Sequence, residues 1–220
     1  MKTRIGRYGL AVCCVAVLAG GLVWGQQKSG DKDTDKSEPT EPTANGFDFM
    51  EYLRTTGGPG PEHEHLKRSI GKWDVKAKFY MTPGMPPDES TGTCEFRSIL
   101  GGRFITQEYE AISPSMGPFS GFGINGFDRL KGKYVSVWMD SMGTGIYLSE
   151  GTADPSGKKF TYMWEGEDPR TRQNKKSKMV TEEVSDDKMT MKMWEVNKDG
   201  SERLEMEITY TRQRKVAGGA

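Results

Sequence analysis

The sequence is poor in the residues that build most catalytic and metal centres. It has two histidines, His63 and His65, and three cysteines, of which Cys13 and Cys14 lie in an N-terminal segment that we expect to be removed. Cys94 would then be the only thiol, so the mature chain can form no internal disulfide, and its position in a strand pattern predicts a buried, inert side chain. Histidines two positions apart on a helix point to nearly opposite sides and cannot share a metal ion. We therefore predict no metal site and no cofactor.

A strong charge of either sign is also lacking. The full chain has 31 basic and 31 acidic residues, and loss of a basic N-terminal segment would leave a small acidic excess. Nucleic acid is not expected as a partner, because binding to the phosphate backbone needs a basic surface. No apolar run reaches the length of about 20 residues that a membrane span requires, so no stable span is expected after processing. The oligomeric state is left open.

Residues 1–25 are typical of a secretory signal peptide. Lys2, Arg4 and Arg7 precede an uncharged apolar stretch from Leu10 to Val23. Cleavage is expected before Gln26. The protein is therefore expected to be exported, to the periplasm or beyond the cell, with retention of the segment as an anchor as the alternative.

The segment after the predicted signal peptide has few apolar side chains that could be buried. Residues 26–46 contain no aliphatic or aromatic side chain larger than Ala44, so they cannot offset the entropy of an ordered chain. An apolar turn at 47–53 is followed by the helix-breaking run TTGGPGP. We predict a disordered linker over 26–59, one domain over 60–214 and a flexible tail over 215–220.

The domain begins with a helix signal and continues as strands. Pro61 suits the first position of a helix that we expect to reach residue 70, with Leu66 and Ile70 on one face. From Trp73 the apolar period changes to two. Ten strands are predicted, at about 73–79, 90–100, 103–112, 120–129, 133–141, 144–151, 158–165, 177–185, 188–196 and 203–212. This pattern predicts an all-β domain, an antiparallel up-and-down β-barrel, with the helix plugging one end.

The connections between the predicted strands are unequal. Even-numbered strands are followed by tight turns and odd-numbered strands mostly by longer loops, which a meander gathers at one end of the barrel. That end should carry an apolar rim of Met81, Met85, Met116, Phe119 and Met142. At the other end the last strand finishes beside the first, so we expect Arg212, or less favourably Arg214, to lie over a buried Trp73.

Several runs of the sequence carry a resemblance. Gly71-Lys72-Trp73, with Arg212 near the end, resembles the calycin pattern of lipocalins and fatty-acid-binding proteins. The runs PEHEHLKRSIGKWDV, ESTGTCEFRSILGGRFITQEYE, GFGINGFDRLKGKYVSVWMDSMGTGIYLSEGT and MEITYTRQ are similar to a bacterial family called domain of unknown function 1579. The resemblance covers about residues 60 to 213. It implies a lipocalin-like barrel, and it implies no activity, cofactor or ligand.

The candidate site lies at the loop-bearing end. Six side chains near strand ends could give an aromatic wall with a few polar contacts: Tyr109, Met116, Trp138, Asp140, Tyr162 and Trp164. We predict that the barrel binds a small apolar or amphipathic ligand there. The alternatives are a filled barrel that acts as an envelope structural or interaction protein, and, with less support, an enzyme that uses carboxylates. A run of alternating methionines, Met189, Met191 and Met193, could bind Cu(I) but is better explained as barrel packing.

Overall fold

The fold is a closed barrel of ten antiparallel strands preceded by two short helices. The computed structural model describes residue 46 and residues 48–168 and 171–214. The predicted signal peptide, most of the predicted linker and the predicted tail lie outside these residues. No helix in the described ranges is long and apolar enough to cross a membrane.

The helices are α1 (Phe49–Thr55) and α2 (Pro61–Lys67). The strands are β1 (Gly71–Phe79), β2 (Asp88–Ile99), β3 (Phe104–Ser113), β4 (Gly117–Asp128), β5 (Lys133–Asp140), β6 (Tyr147–Ala153), β7 (Lys159–Glu167), β8 (Asn174–Ser185), β9 (Lys188–Val196) and β10 (Glu202–Arg212). A single 3-10 turn, Leu100–Gly102, follows β2. The ten predicted strands are confirmed, with shifts of a few residues at their ends.

Each strand pairs with the next in the chain, and β10 closes the barrel against β1. The closing pairs run from Trp73 opposite Arg212 to Phe79 opposite Met206. The up-and-down topology predicted from the period of two is therefore confirmed. Because side chains alternate along a strand, the register assigns one residue in two to the interior. On β1 these are Trp73, Val75, Ala77 and Phe79.

Helix α2 packs at the barrel end where β1 begins. Leu66 is buried, and the ring of buried His63 lies edge-on to Phe127, with centroids 6.1 Å apart. Tyr134, pointing inward from β5, places its hydroxyl 3.0 Å from His65 Nδ1. The helix ends three residues before the predicted boundary, because Ser69 and Ile70 turn more tightly and bond back to Leu66 and Lys67. We call this the plug end, and the opposite end, bounded by the loops after the odd-numbered strands, the loop end.

Helix α1 corrects the linker prediction. Residues 49–55 are helical, although they fall within the predicted disordered linker of 26–59. Asp48 accepts hydrogen bonds from the N–H groups of Met50 and Glu51 and so caps the helix. Arg129 and Arg103 then hold the following segment by donating to Thr55 O and Gly57 O. The composition of 47–59 did not show these two long-range contacts.

Candidate functional site

The inward side chains of the loop-end half form two walls. Five consecutive strands, β3 to β7, contribute one aromatic side chain each: Tyr109, Phe119, Trp138, Tyr147 and Trp164. We call these five residues the aromatic wall. The facing strands contribute flexible thioethers, namely Met179, Met191, Met193 and Met206. Aromatic and thioether surfaces together suit a flat, apolar molecule.

Several large inward side chains of this half are only partly buried. The most fully buried large side chains are Trp73, Val75, Cys94 and Ile105. By contrast, Phe119, Trp138 and three of the methionines (179, 191 and 206) are only partly buried, although their strands direct them into a closed barrel. These side chains are therefore not fully enclosed by their neighbours.

Tyr109 lies at the centre of the aromatic contacts. Its ring meets Phe119 with centroids 5.7 Å apart and Trp138 with centroids 6.2 Å apart, both in a T-shaped arrangement. Such edge-to-face pairs add about 0.5–1.5 kcal/mol beyond the area that they bury. Burial raises the pKa of the Tyr109 hydroxyl to about 12, so the phenol stays protonated at neutral pH.

Two features of the sequence fix the position of Trp138. Its Nε1 donates to Asp140 Oδ2 at 2.9 Å. Its ring lies against Gly121 and Gly123 on β4, and a Cβ at Gly121 would overlap the ring. The motif Gly-Phe-Gly therefore provides a smooth strand surface on which the indole rests.

A second aromatic contact continues the wall. The rings of Tyr147 and Trp164 are 5.4 Å apart in a T-shaped arrangement. Tyr147 is opposite Trp138 in the β5–β6 register. The Tyr147–Trp164 pair therefore continues the contacts that Trp138 makes with Tyr109. A Cβ at Gly166 would come 2.5 Å from Trp164 Cζ2, so glycine again makes room for an indole.

The loop-end half also contains a cluster of inward charges. Lys175 bonds to Glu205 with Nζ–O distances of 2.7 and 2.6 Å, and Arg203 bonds to both Glu195 and Glu205. The side chains of Lys175 and Glu205 are only 14% and 11% exposed. A β-bulge in β10 between Leu204 and Met206 shifts the register, so that Arg203 and Glu205 face inward together with Met206. We call these four residues the charge cluster.

The structure places the predicted site residues unequally. Tyr109, Trp138, Asp140 and Trp164 share the loop-end interior, where Trp138 contacts both Tyr109 and Asp140. Met116 lies outside it, 39% exposed in the turn between β3 and β4. Tyr162 is buried deeper, where its ring is stacked at 6.4 Å from Phe160.

The predicted rim needs one correction. Met81, Met85, Met116 and Met142 are all exposed at loops or turns of the loop end, from 39% to 65%. Phe119, however, is a strand residue that points inward, because β4 starts at Gly117 rather than near 120. Gly117 adopts a φ of 80° that completes the preceding turn.

Sequence reasoning missed Tyr147 and the charge cluster. Tyr147 could have been found from its alternation with Ser149 and Gly151, once the inward face of β6 was known. The charge cluster had no such signal, because Leu204, Met206 and Ile208 alternate in the sequence without a break, and the bulge between Leu204 and Met206 is seen only in the pairing.

Two other kinds of site receive no support. The described residues contain no group of three or more His, Cys, Asp or Glu side chains placed to hold a metal ion. A surface groove along β1, β2, β9 and β10 has no aromatic lining. Four of its charged residues form ion pairs, Lys78 with Glu89 and Lys192 with Glu207. The barrel interior is therefore the candidate site.

A protein-family model matches most of the chain. The family model described as "Protein of unknown function (DUF1579)" covers residues 58–212. No curated protein matches the chain.

Among solved structures, Rv2717c from M. tuberculosis is 17% identical, with a TM-score of 0.54, and the match covers 71% of this chain and 100% of that one. A de novo designed fluorescence-activating β-barrel is also 17% identical, covering 66% of this chain and 93% of its own, with a TM-score of 0.37. The designed barrel EF1p2_mFAP2b, solved with DFHBI, is 15% identical over 69% of this chain and 99% of its own, with a TM-score of 0.36. At 17% identity the likeness to Rv2717c concerns the fold alone.

Proposed function

The chain belongs to the DUF1579 family of proteins of unknown function, and from its barrel interior we propose that it binds a small apolar or amphipathic ligand between the aromatic wall and the methionines. One observation carries the proposal: large apolar side chains that point into a closed barrel remain partly accessible near the loop end. A barrel whose interior was filled by its own side chains would bury them.

The loop end supports access by an apolar molecule. Met81, Met85 and Met142 are 58%, 62% and 65% exposed around this end. Exposed apolar side chains on one rim are typical of a surface that meets an apolar partner. The plug end is covered by α2, so the ligand enters and leaves past the methionine rim.

The direct test is binding of a neutral fluorescent probe, N-phenyl-1-naphthylamine, to the full chain. Binding is monitored through the fluorescence emission of the probe itself. Ser149 points inward on β6 beside Ser136, and the neighbouring Leu148 points outward and is 66% exposed. Ser149→Trp should fill the site and abolish binding, and Leu148→Trp should leave binding intact. Absence of binding to the wild type, or equal binding to both variants, would contradict the proposal.

We also propose that the protein acts after export. The basic residues Lys2, Arg4 and Arg7 and the apolar stretch that follows them support this. Intact-mass measurement of the protein from its own cells should give a chain that begins at Gln26. A chain that retains residues 1–25 would contradict cleavage and favour the alternative, in which the segment is kept as an anchor.

A further inference from the structure

The middle strands of the barrel carry apolar side chains on their outer face. Trp138 points inward, so its neighbours Val137 and Met139 on β5 point outward. Phe122 lies opposite Met139, and Leu148 lies opposite Val137. Together with two residues of the loop that joins β5 to β6, this outer face forms a surface that we call the apolar flank: Phe122, Ile124, Val135, Val137, Met139, Met142, Ile146 and Leu148.

The core of the barrel does not account for the apolar flank. Met142, Ile146 and Leu148 are 65%, 65% and 66% exposed. The other five side chains are half-buried and point away from the buried core of the described barrel. A contiguous exposed apolar surface is typical of a face that meets an apolar partner.

The loops on this side of the barrel lack charge. The loops after β1, β3 and β5, residues 80–87, 114–116 and 141–146, contain no charged residue, although 28% of the chain is charged. The loops after β7 and β9 differ, because they contain charges such as Arg172 and Lys198. Charged side chains are costly to place in hydrocarbon. The loop end is therefore divided into a half that hydrocarbon accepts and a half that it excludes.

The border and the shape of the apolar flank favour a bilayer over a second protein as its partner. Glu108 pairs with Arg97 and Glu150 with Lys131, each at 2.7 Å, so these border charges offer little attraction to anionic headgroups. The outer surface of a closed barrel is convex. Two rigid convex surfaces meet along a narrow strip, whereas a stable protein interface buries roughly 800 Å² per partner. A fluid bilayer adapts to a convex surface.

We propose that the apolar flank docks this protein on a lipid bilayer of neutral headgroups, with Met142, Ile146 and Leu148 among the upper parts of the acyl chains. The charged loops after β7 and β9 then stay in water. Docking does not depend on a ligand inside the barrel, because the residues of the apolar flank lie on its outer face or in a loop.

The test uses nitrobenzoxadiazole, a dye whose emission reports the polarity around it. The dye is attached to Met142→Cys in the full chain, in which Cys13 and Cys14 are replaced by serine and Cys94 is protected by burial. Vesicles of phosphatidylcholine should shift the emission to shorter wavelength and raise its intensity. In the added background of Leu148→Glu, the lipid concentration that gives half of this change should rise at least about tenfold, because a charge then enters the acyl region.

Two matched controls separate docking from other causes. The same dye on Lys198→Cys, in the charged half of the loop end, should not respond to the vesicles. Val184→Glu places the same charge at an apolar side chain of β8 that is 53% exposed, and it should leave the response at position 142 unchanged. The comparison of positions 142 and 198 holds whether or not residues 1–25 are retained.

Four results would overturn the docking. They are no response at position 142, equal responses at positions 142 and 198, a response that requires anionic phosphatidylglycerol in the vesicles, and a response that appears without vesicles as the protein concentration rises. The last of these would show that a second copy of the chain covers the apolar flank.

Discussion

Trp73 and Arg212 stand opposite each other in the pair that closes the barrel, and Arg212 Cζ lies 4.1 Å from the centroid of the Trp73 ring. The guanidinium also donates to Ile70 O, Arg68 O and Asp186 O, each at 2.7 Å. Trp73 in turn donates from Nε1 to Ser69 O at 2.8 Å. The first strand, the last strand and the segment after α2 are thus joined at one point.

Truncation of Trp73 should destabilise the barrel strongly. Trp73 is 1% exposed, and Trp73→Ala removes a buried large aromatic side chain, which costs about 3–5 kcal/mol in the free energy of unfolding. Urea denaturation would measure the loss. The matched control is Trp194→Ala, because Trp194 is only half-buried on the outer face beneath Lys178. A Trp73 variant no less stable than the Trp194 variant would refute the role of Trp73 at the plug end.

A methyl group at Gly121 should displace Trp138. The added Cβ would overlap the indole ring, and such overpacking costs about 1–3 kcal/mol. Near-ultraviolet circular dichroism should report the movement of the ring, and probe binding should weaken. Gly143→Ala is the control, since its Cβ would meet nothing closer than 4.0 Å. Unchanged aromatic dichroism in Gly121→Ala would show that the glycine does not position the indole.

The plug end should weaken as pH falls below neutral. Burial lowers the pKa of His63 from its ordinary 6.5; Glu62 opposes this shift, and Arg129 and Lys67 reinforce it. His63 Nδ1 also accepts the N–H of Gly60 at 2.9 Å, which a protonated ring cannot do. The unfolded chain therefore binds the proton more readily, so stability is fully present above about pH 6.5 and is lost as pH falls below it.

His63→Gln should flatten this dependence. The free energy of unfolding is to be measured between about pH 7 and 5, above the range where carboxylates titrate. Asp88 and Glu207, whose pKa values are lowered chiefly by side-chain hydrogen bonds, lose their contributions only at lower pH. Parallel profiles for the wild type and His63→Gln would contradict the assignment.

Loss of one residue of the Lys175–Glu205 pair should lower the free energy of unfolding more than loss of both. Lys175→Met leaves Arg203 as the one cation of the cluster for both Glu205 and Glu195, and unbalancing buried charges in this way costs up to about 3–5 kcal/mol. The double variant Lys175→Met/Glu205→Met should be more stable than Lys175→Met alone, because the remaining Arg203 and Glu195 then balance each other. Chemical denaturation of the two variants provides the comparison. A double variant no more stable than Lys175→Met would contradict this expectation.

The strands and their order followed from the sequence because the apolar residues of β1, β9 and β10 alternate with polar ones. The inward face of the middle strands did not follow. Leu148 is exposed on the outside, whereas Asp140 is directed inward to bond Trp138, so hydrophobicity alone assigns the wrong side at such positions. Which side of a strand points inward is decided by its pairing with the neighbouring strands. These pairs join residues that are distant in the sequence.

The candidate site could be predicted only in part for the same reason. Tyr109 and Trp138 are separated in sequence, and they meet because β3, β4 and β5 pair in a fixed register. The register is also what makes Tyr147 a neighbour of Trp138. The local sequence indicated aromatic residues near the ends of several strands. The pairing of the strands decided which of these residues belong to the aromatic wall.

The covering of the plug end by α2 and Arg212 has a kinetic consequence. A binding cavity with a single opening does not let one ligand enter while another leaves by a different route. A bound ligand therefore has to dissociate before the next one can bind. Exchange of one bound molecule for another would then proceed at the rate of departure alone, whatever the concentration of the competitor. Under the proposed function, release to a recipient would depend on what contacts Met81, Met85 and Met142 at the loop end.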